Sequence, residues 1–189
     1  GEKNSLNQQK YVLKIISPKV PINKFLGNVN EKEILVDLIN LSKPKKNLPT
    51  IFIWPEGILS GIYFDELNKY KNLFLENFSS NHLIIMGINT HHSYDGSEKI
   101  YNSMVVFDNN LKLIAKYDKN KLVPFGEYLP LDYFFSKIGL KKITYGYESF
   151  SSGKNRNSIL VPNEDTILKF LPLICYEIIY SGKINLDNK

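Results

Sequence analysis

Residues 167–180 read ILKFLPLICYEIIY, an apolar run that carries the only cysteine of the chain, Cys175, near its end. An apolar run bounded by turn residues reads as a buried strand. A reactive side chain at the C-terminal end of such a strand sits where open α/β sheets hold their sites. Ile167 to Ile174 is therefore expected to be a strand that delivers Cys175 to its tip, with Glu177 close behind. A lone cysteine is by composition more often a small core hydrophobe than a nucleophile, so its role depends on what other strand ends supply.

Two other stretches supply partners. In TIFIWPEG, Thr50 to Trp54 reads as a short apolar strand; Pro55 has no N–H to give to a ladder, so the strand stops and leaves Glu56 at its tip. In IAKYDKNKLVPFGEYLP, the alternating segment Leu111 to Tyr117 ends just before Lys119 and gives way to the turn formers Pro124, Gly126 and Pro130. A glutamate, a lysine and a cysteine thus stand at three strand ends.

Taken in order, WPE, YDKNKLVPFGEYLP and ICYE resemble the nitrilase superfamily and, within it, the apolipoprotein N-acyltransferase family; KLVPFGEYLP is the part that resembles the acyltransferase branch. The resemblance implies an α/β fold of the nitrilase type, a four-layer α-β-β-α sandwich. It implies Glu56, Lys119 and Cys175 as catalytic residues, with Glu127, Tyr176 and Glu177 in support. It also implies no cofactor and no metal, a phospholipid acyl donor and a diacylglyceryl apolipoprotein acceptor. The catalytic domain would then lie on the periplasmic side of the bacterial inner membrane. In that family the loop at Ser17 to Gly27 usually carries a tryptophan, where this chain has Phe25.

The residue types also make chemical sense by themselves. A thiol needs a base or a nearby cation to become a nucleophile. Glu56, partly desolvated at a strand tip, would favour its neutral form and so suit the taking and returning of a proton. The Lys119 ammonium can face the oxygen that turns negative when Cys175 adds to a carbonyl, giving an acyl thioester. Glu127 is expected to orient Lys119, and Glu177 to hold a neighbouring loop. Ser60 lies between Gly57 and Gly61 but does not form a GxSxG elbow, which argues against a serine hydrolase. A soluble amidase or nitrilase with the same triad is the alternative enzyme, and a catalytically silent binding module is the alternative of another class.

Composition sets wider bounds. A chain of 189 residues, 43% hydrophobic, can bury one substantial core. The net charge of +5 comes from lysines spread along the chain, and Arg156 is the sole arginine. With no nucleic-acid-binding pattern beside them, a solvated lysine surface is expected rather than a nucleic-acid partner. A single cysteine excludes an internal disulfide, and no apolar run reaches the length of a membrane-spanning helix.

Along the chain, Gly1 to Lys10 reads as a linker and residues 11–189 as the catalytic domain. Tyr11 to Ile16 is expected to be a strand. Asn28 or Asn30 caps a helix reaching Ser42, with Ile34, Leu35, Leu38 and Leu41 on its buried face. Asp65 to Phe78 is expected to be one helix burying Leu67, Tyr70, Phe74, Leu75 and Phe78. His82 to Asn89 reads as a strand followed by a polar loop, His91 to Lys99. The adjacent His91 and His92 are read as solvated rather than metal-binding, since neighbouring side chains point apart. Asp108 to Asn110 closes a hairpin, Leu131 to Ile138 is a short helix, Gly139 to Asn157 a long loop, and Ser158 to Pro162 pairs with Ile167 to Ile174. The chain is shorter than a whole nitrilase-like sandwich. It is thus expected to be a fragment without membrane helices before Tyr11 and without the last strands of the domain, self-associating and inactive when expressed alone.

Overall fold

The computed structural model describes residues 11–19, 30–94, 96–124, 127–128, 149–154, 158–163 and 166–183. The linker expected at Gly1 to Lys10, Phe25 and the helix expected at Leu131 to Ile138 lie outside them, as does most of the long loop from Gly139.

Strand β1 (Val12–Ile15) leads through helix α1 (Glu31–Ser42) to β2 (Thr50–Ile53). A 3₁₀-helix (Phe64–Tyr70) and α2 (Lys71–Asn77) then lead to β3 (His82–Tyr94), β4 (Ser97–Phe107) and β5 (Leu113–Asp118). These strands form one mixed sheet in the order β1-β2-β3-β4-β5, parallel across the first three and antiparallel across the rest. Strands β6 (Ile159–Asn163) and β7 (Thr166–Phe170) form a separate antiparallel pair, followed by a second 3₁₀-helix, Cys175–Lys183.

Strand alternation splits the core in two. Phe52, Trp54, Ile84, Met86, Val105 and Phe107 face the helical layer, packing against Leu35 and Leu38 of α1, Leu67 of the first 3₁₀-helix and Phe74 of α2. Ile51, Ile85, Val106 and Tyr117 face the other way, against Ile159 and Val161 of β6 and against Ile174. The described residues therefore stack as helices, sheet and strand pair, an α/β arrangement.

Local chemistry accounts for the start of α1, and a buried side-chain contact ties down its end. The Asn30 side chain accepts from the Glu33 N–H at the start of α1, whose first turn carries Glu31 and Glu33. The buried Trp54 indole donates to Ser42 Oγ at 2.9 Å, and that hydroxyl donates to Leu38 O at 2.7 Å, tying β2 to the end of α1.

Four expectations need correction. Leu41 is exposed and Ile39 takes its place in the core, because the buried stripe follows the drift of a 3.6-residue turn. The segment after Asp65 is not one helix: its tighter first half rotates the later residues, so Leu75 faces solvent while Phe74 and Phe78 are buried. His91 to Lys99 is not a loop, since β3 and β4 run on as a hairpin in which Tyr94 pairs with Ser97 and Gly96 takes φ 74° at the turn. Cross-strand contacts carry that polar extension: His91 Nδ1 lies 2.7 Å from Glu98 Oε1, and the ring stacks on Tyr63 at 4.5 Å. Finally, the positive φ of the β4–β5 turn falls on Leu111 (62°) rather than on its Asn or Asp residues; Asp108 Oδ1 instead accepts from the Asn110 and Lys112 N–H groups.

His82, fully buried at the start of β3, offers a test of the packing. The Ser79 N–H donates to Nδ1 at 3.1 Å, so Nε2 must carry the proton it shares with Lys45 O at 3.0 Å, and the ring is neutral. Burial pushes the imidazole below its ordinary value. A group depressed in this way contributes stability that is present above the unfolded pKa of 6.5 and lost as the pH falls through the folded one. The melting temperature is expected to fall between about pH 7.5 and about pH 5.5, and to fall less in His82→Gln, whose amide keeps one donor and one acceptor. Parallel melting curves for the two proteins across that range would show that His82 has no such role.

Candidate active site

The strand order brings Glu56 and Lys119 toward one face of the sheet. Glu56 follows β2 at a turn opened by Pro55, and it lies directly over Gly87 of β3, where an added Cβ would stand 2.9 Å from the Glu56 Cα. In β4, Asn102 lies two residues before Met104, the register partner of Gly87, and so shares its face. Lys119 follows β5, and its backbone N–H donates to Asn102 O at 2.9 Å, continuing the ladder by one residue. Tyr117 and Lys119 thus point the same way, and the apolar core around Tyr117 grades into a polar cluster.

Lys119 is 1% exposed, and its ammonium donates to Glu127 Oε1 at 2.9 Å. A buried charge in a low-dielectric setting requires such a partner. Glu127 is held in turn: the Val123 N–H donates to Oε2 at 2.9 Å, and the Glu127 N–H donates back to Val123 O at 2.9 Å. The Asn102 side-chain amide bridges the cluster, donating to Glu56 Oε1 at 2.9 Å and to Glu127 Oε1 at 3.0 Å. Glu56 itself is exposed, which corrects the desolvation expected at the strand tip.

Cys175 is not at a strand end. Strand β7 stops at Phe170, ahead of Pro172, and Cys175 opens the second 3₁₀-helix with φ 52°, an exposed thiol on left-handed backbone. Few non-glycine residues take that conformation unless their surroundings impose it. Here the surroundings centre on Glu177. Its N–H donates to Ile174 O at 3.1 Å while its Oε2 accepts from the Ile174 N–H at 3.0 Å, closing the turn that has Cys175 at its apex. Its Oε1 accepts from the Asn120 and Lys121 N–H groups at 2.9 Å and from the Tyr117 hydroxyl at 2.8 Å. The cysteine turn is thereby fastened to the residues that flank Lys119. Tyr176 is 58% exposed beside the thiol.

The segment 149–153 covers the lysine: the Phe150 N–H donates to Glu127 O, and the Gly153 N–H to Lys119 O, each at 2.9 Å. A side chain at Gly153 would fall 2.1 Å from Asp118 O, so only glycine permits this approach. A cavity of about 850 Å³ opens nearby between β5 and β6, lined by Lys99, Tyr101, Lys116, Asp118 and Lys154 among others. None of Glu56, Lys119 and Cys175 lines it. Among the described residues no group of three or more His, Cys, Asp or Glu side chains is placed to hold a metal ion.

Asn102, Gly87 and Gly153 were not singled out from sequence. A signal existed for two of them: a glycine inside the apolar run LIIMGIN marks a close backbone approach, and Asn102 is a polar residue on a strand face otherwise filled by Met104 and Val106.

The carbon-nitrogen hydrolase family profile matches residues 38–185. The chain belongs to the carbon-nitrogen hydrolase family. It is similar to the apolipoprotein N-acyltransferase of Caulobacter vibrioides, at 33% identity over 70% of this chain and 26% of that protein. It is likewise similar to that of Rickettsia typhi, at 31% identity over 94% of this chain and 34% of that protein. The chain thus spans about a third or less of the length of these relatives. Among solved structures it is similar to a Saccharomyces cerevisiae member of branch 10 of the nitrilase superfamily, with 19% identity over 90% of this chain and 55% of that chain and a TM-score of 0.43.

Glu177 provides the test of how this carbon-nitrogen hydrolase chain holds its cysteine turn. In Glu177→Gln an amide group replaces one of two oxygens that accept only N–H and O–H donors. The loss is expected to cost about 2 to 3 kcal/mol of stability in urea unfolding. A cost below about 0.5 kcal/mol, the scatter of an ordinary surface change, would show that the carboxylate does not fasten the turn.

Proposed function

We propose that the protein transfers an acyl chain from a membrane phospholipid, through a thioester on Cys175, to the N-terminal amine of a diacylglyceryl-cysteine apolipoprotein. The observation that carries this reading is that Asn102 and Glu127 tie Glu56 and Lys119 into one hydrogen-bonded cluster, while Glu177 fastens the Cys175 turn to Asn120 and Lys121 beside that lysine. The name shared by the two curated relatives, apolipoprotein N-acyltransferase, supports the acyl-transfer branch over the hydrolytic one.

In this reading Glu56 takes the proton of the Cys175 thiol as the sulfur adds to the ester carbonyl of the phospholipid. The carbonyl oxygen becomes an oxyanion beside the Lys119 ammonium, which Glu127 holds on its opposite side. Collapse breaks the ester C–O bond, and Glu56 returns its proton to the departing lysophospholipid alkoxide. The lipoprotein amine then attacks the thioester, Glu56 accepts the amine proton, and the thiol is restored as the amide forms. Each half-reaction uses one base and one oxyanion partner, which is why a single Glu/Lys/Cys set suffices. Such a reaction needs access to lipid, and we place the catalytic domain on the periplasmic side of the inner membrane. Membrane attachment would come from segments other than those described, in which no helix is long and apolar enough to cross a membrane. Hydrolysis by water at the same thioester is the alternative that the family name keeps in view.

Incubation of the full-length protein with phospholipid is expected to add one acyl chain to Cys175, read by mass spectrometry and absent in Cys175→Ala. Lys119→Ala is expected to slow acylation about a hundredfold to a thousandfold, whereas Lys121→Ala does not. An adduct that persists in Cys175→Ala, or a rate lost in Lys121→Ala but kept in Lys119→Ala, would contradict the assignment. Release of the acyl chain to water at the same rate with and without a diacylglyceryl peptide would favour the hydrolase.

A further inference from the structure

We propose that Asn102 is a positioning residue for the Glu56 base, acting as a neutral double donor that sets Glu56 against the lysine without drawing on the lysine's charge; this rests on the catalytic reading of Glu56 and Cys175 given above.

A side-chain amide nitrogen carries two hydrogens, and Asn102 directs them at two different carboxylates, Glu56 Oε1 at 2.9 Å and Glu127 Oε1 at 3.0 Å. The amide orientation follows from chemistry, because the reverse would set its oxygen against two acceptors. The backbone of the same residue accepts the Lys119 N–H at 2.9 Å, so one position in β4 locates the main chain of the lysine and the side chains of both acids. Asn102 is fixed in register by pairing with Asn89 in the long β3–β4 ladder, a rigid base for such a role.

The residue type fits the task. Lys119 is committed to Glu127, and among the described residues Asn102 is the side chain that donates to Glu56. A cation at position 102 would compete with Lys119 for Glu127. A carboxylate there would repel Glu56 and favour its protonated form, which cannot take a proton from the thiol. An aliphatic side chain would leave Glu56, exposed and on a turn, free to rotate away from the lysine. A neutral donor of this length avoids all three.

The test reads the thiol directly. The rate of Cys175 alkylation by iodoacetamide, followed on the Cys175 peptide by mass spectrometry across the pH range, reports activation of the sulfur whatever the acyl substrate. In the full-length protein Glu56→Gln is expected to lower this rate at neutral pH. Asn102→Ala is expected to lower it about tenfold, the lower end of what a positioned base contributes. Asn102→Asp, which keeps the shape of the native side chain, is expected to move the acid limb of the profile upward by about one pH unit. In the acylation assay both Asn102 variants are expected to lose kcat with little change in KM, and circular dichroism melts show whether each is folded. If Glu56→Gln is slow while folded Asn102→Asp keeps the wild-type profile, the Asn102 role is overturned and the catalytic reading stands. If the wild-type thiol alkylates like a free cysteine and Glu56→Gln matches it, the catalytic reading fails and the Asn102 role falls with it.

Discussion

The ammonium of Lys119, buried to 1% exposure, is the constraint around which the described structure is arranged. Removing the partner of a buried charge typically costs about 3 to 5 kcal/mol, so the fold must bring a carboxylate to it. Glu127 is that carboxylate, and the sequence distance between them is only eight residues. Reciprocal hydrogen bonds between Val123 and Glu127 hold the acid in place. The lysine is therefore held by local chemistry and covered by a remote segment, residues 149–153, whose Gly153 allows backbone to lie on backbone.

A second carboxylate, Glu177, does for the cysteine what Glu127 does for the lysine. Holding Cys175 at φ 52° costs about 1 to 3 kcal/mol for a residue with a side chain. The charge-assisted hydrogen bonds that Glu177 accepts from Ile174, Asn120 and Lys121 offset that strain. One acid thus serves as the partner of the ammonium and the other as an acceptor for backbone N–H groups. Glu56 differs from them in being exposed and reached by Asn102 alone among the described side-chain donors.

Much of this could be read from residues. Pro55 stopping a strand before Glu56 and Asn30 capping α1 both depend on interactions within a few residues, and local interactions leave local signatures. What could not be read depends on distant partners. The polar run His91 to Lys99 is a hairpin because Tyr63, Asp65 and Tyr101 come to it from elsewhere, although the Asp95-Gly96 pair was a local turn signal that could have been used. The apolar run before Cys175 reads as one strand although apolarity reports burial, not extension; Pro172 and Ile174 are buried without being in the ladder. Asn102 was missed because its importance lies in two acids that are 46 and 25 residues away in sequence.

The proposed convergence of Glu56, Lys119 and Cys175 on one reacting carbonyl is tested most directly by a crystal structure of the full-length Cys175→Ser protein with a phospholipid acyl donor bound. The ester carbonyl oxygen is predicted to lie about 3 Å from Lys119 Nζ, with the hydroxyl at position 175 facing the carbonyl carbon and Glu56 within reach of that hydroxyl. A donor whose carbonyl binds away from Lys119, with the ammonium still directed at Glu127 alone, would contradict it.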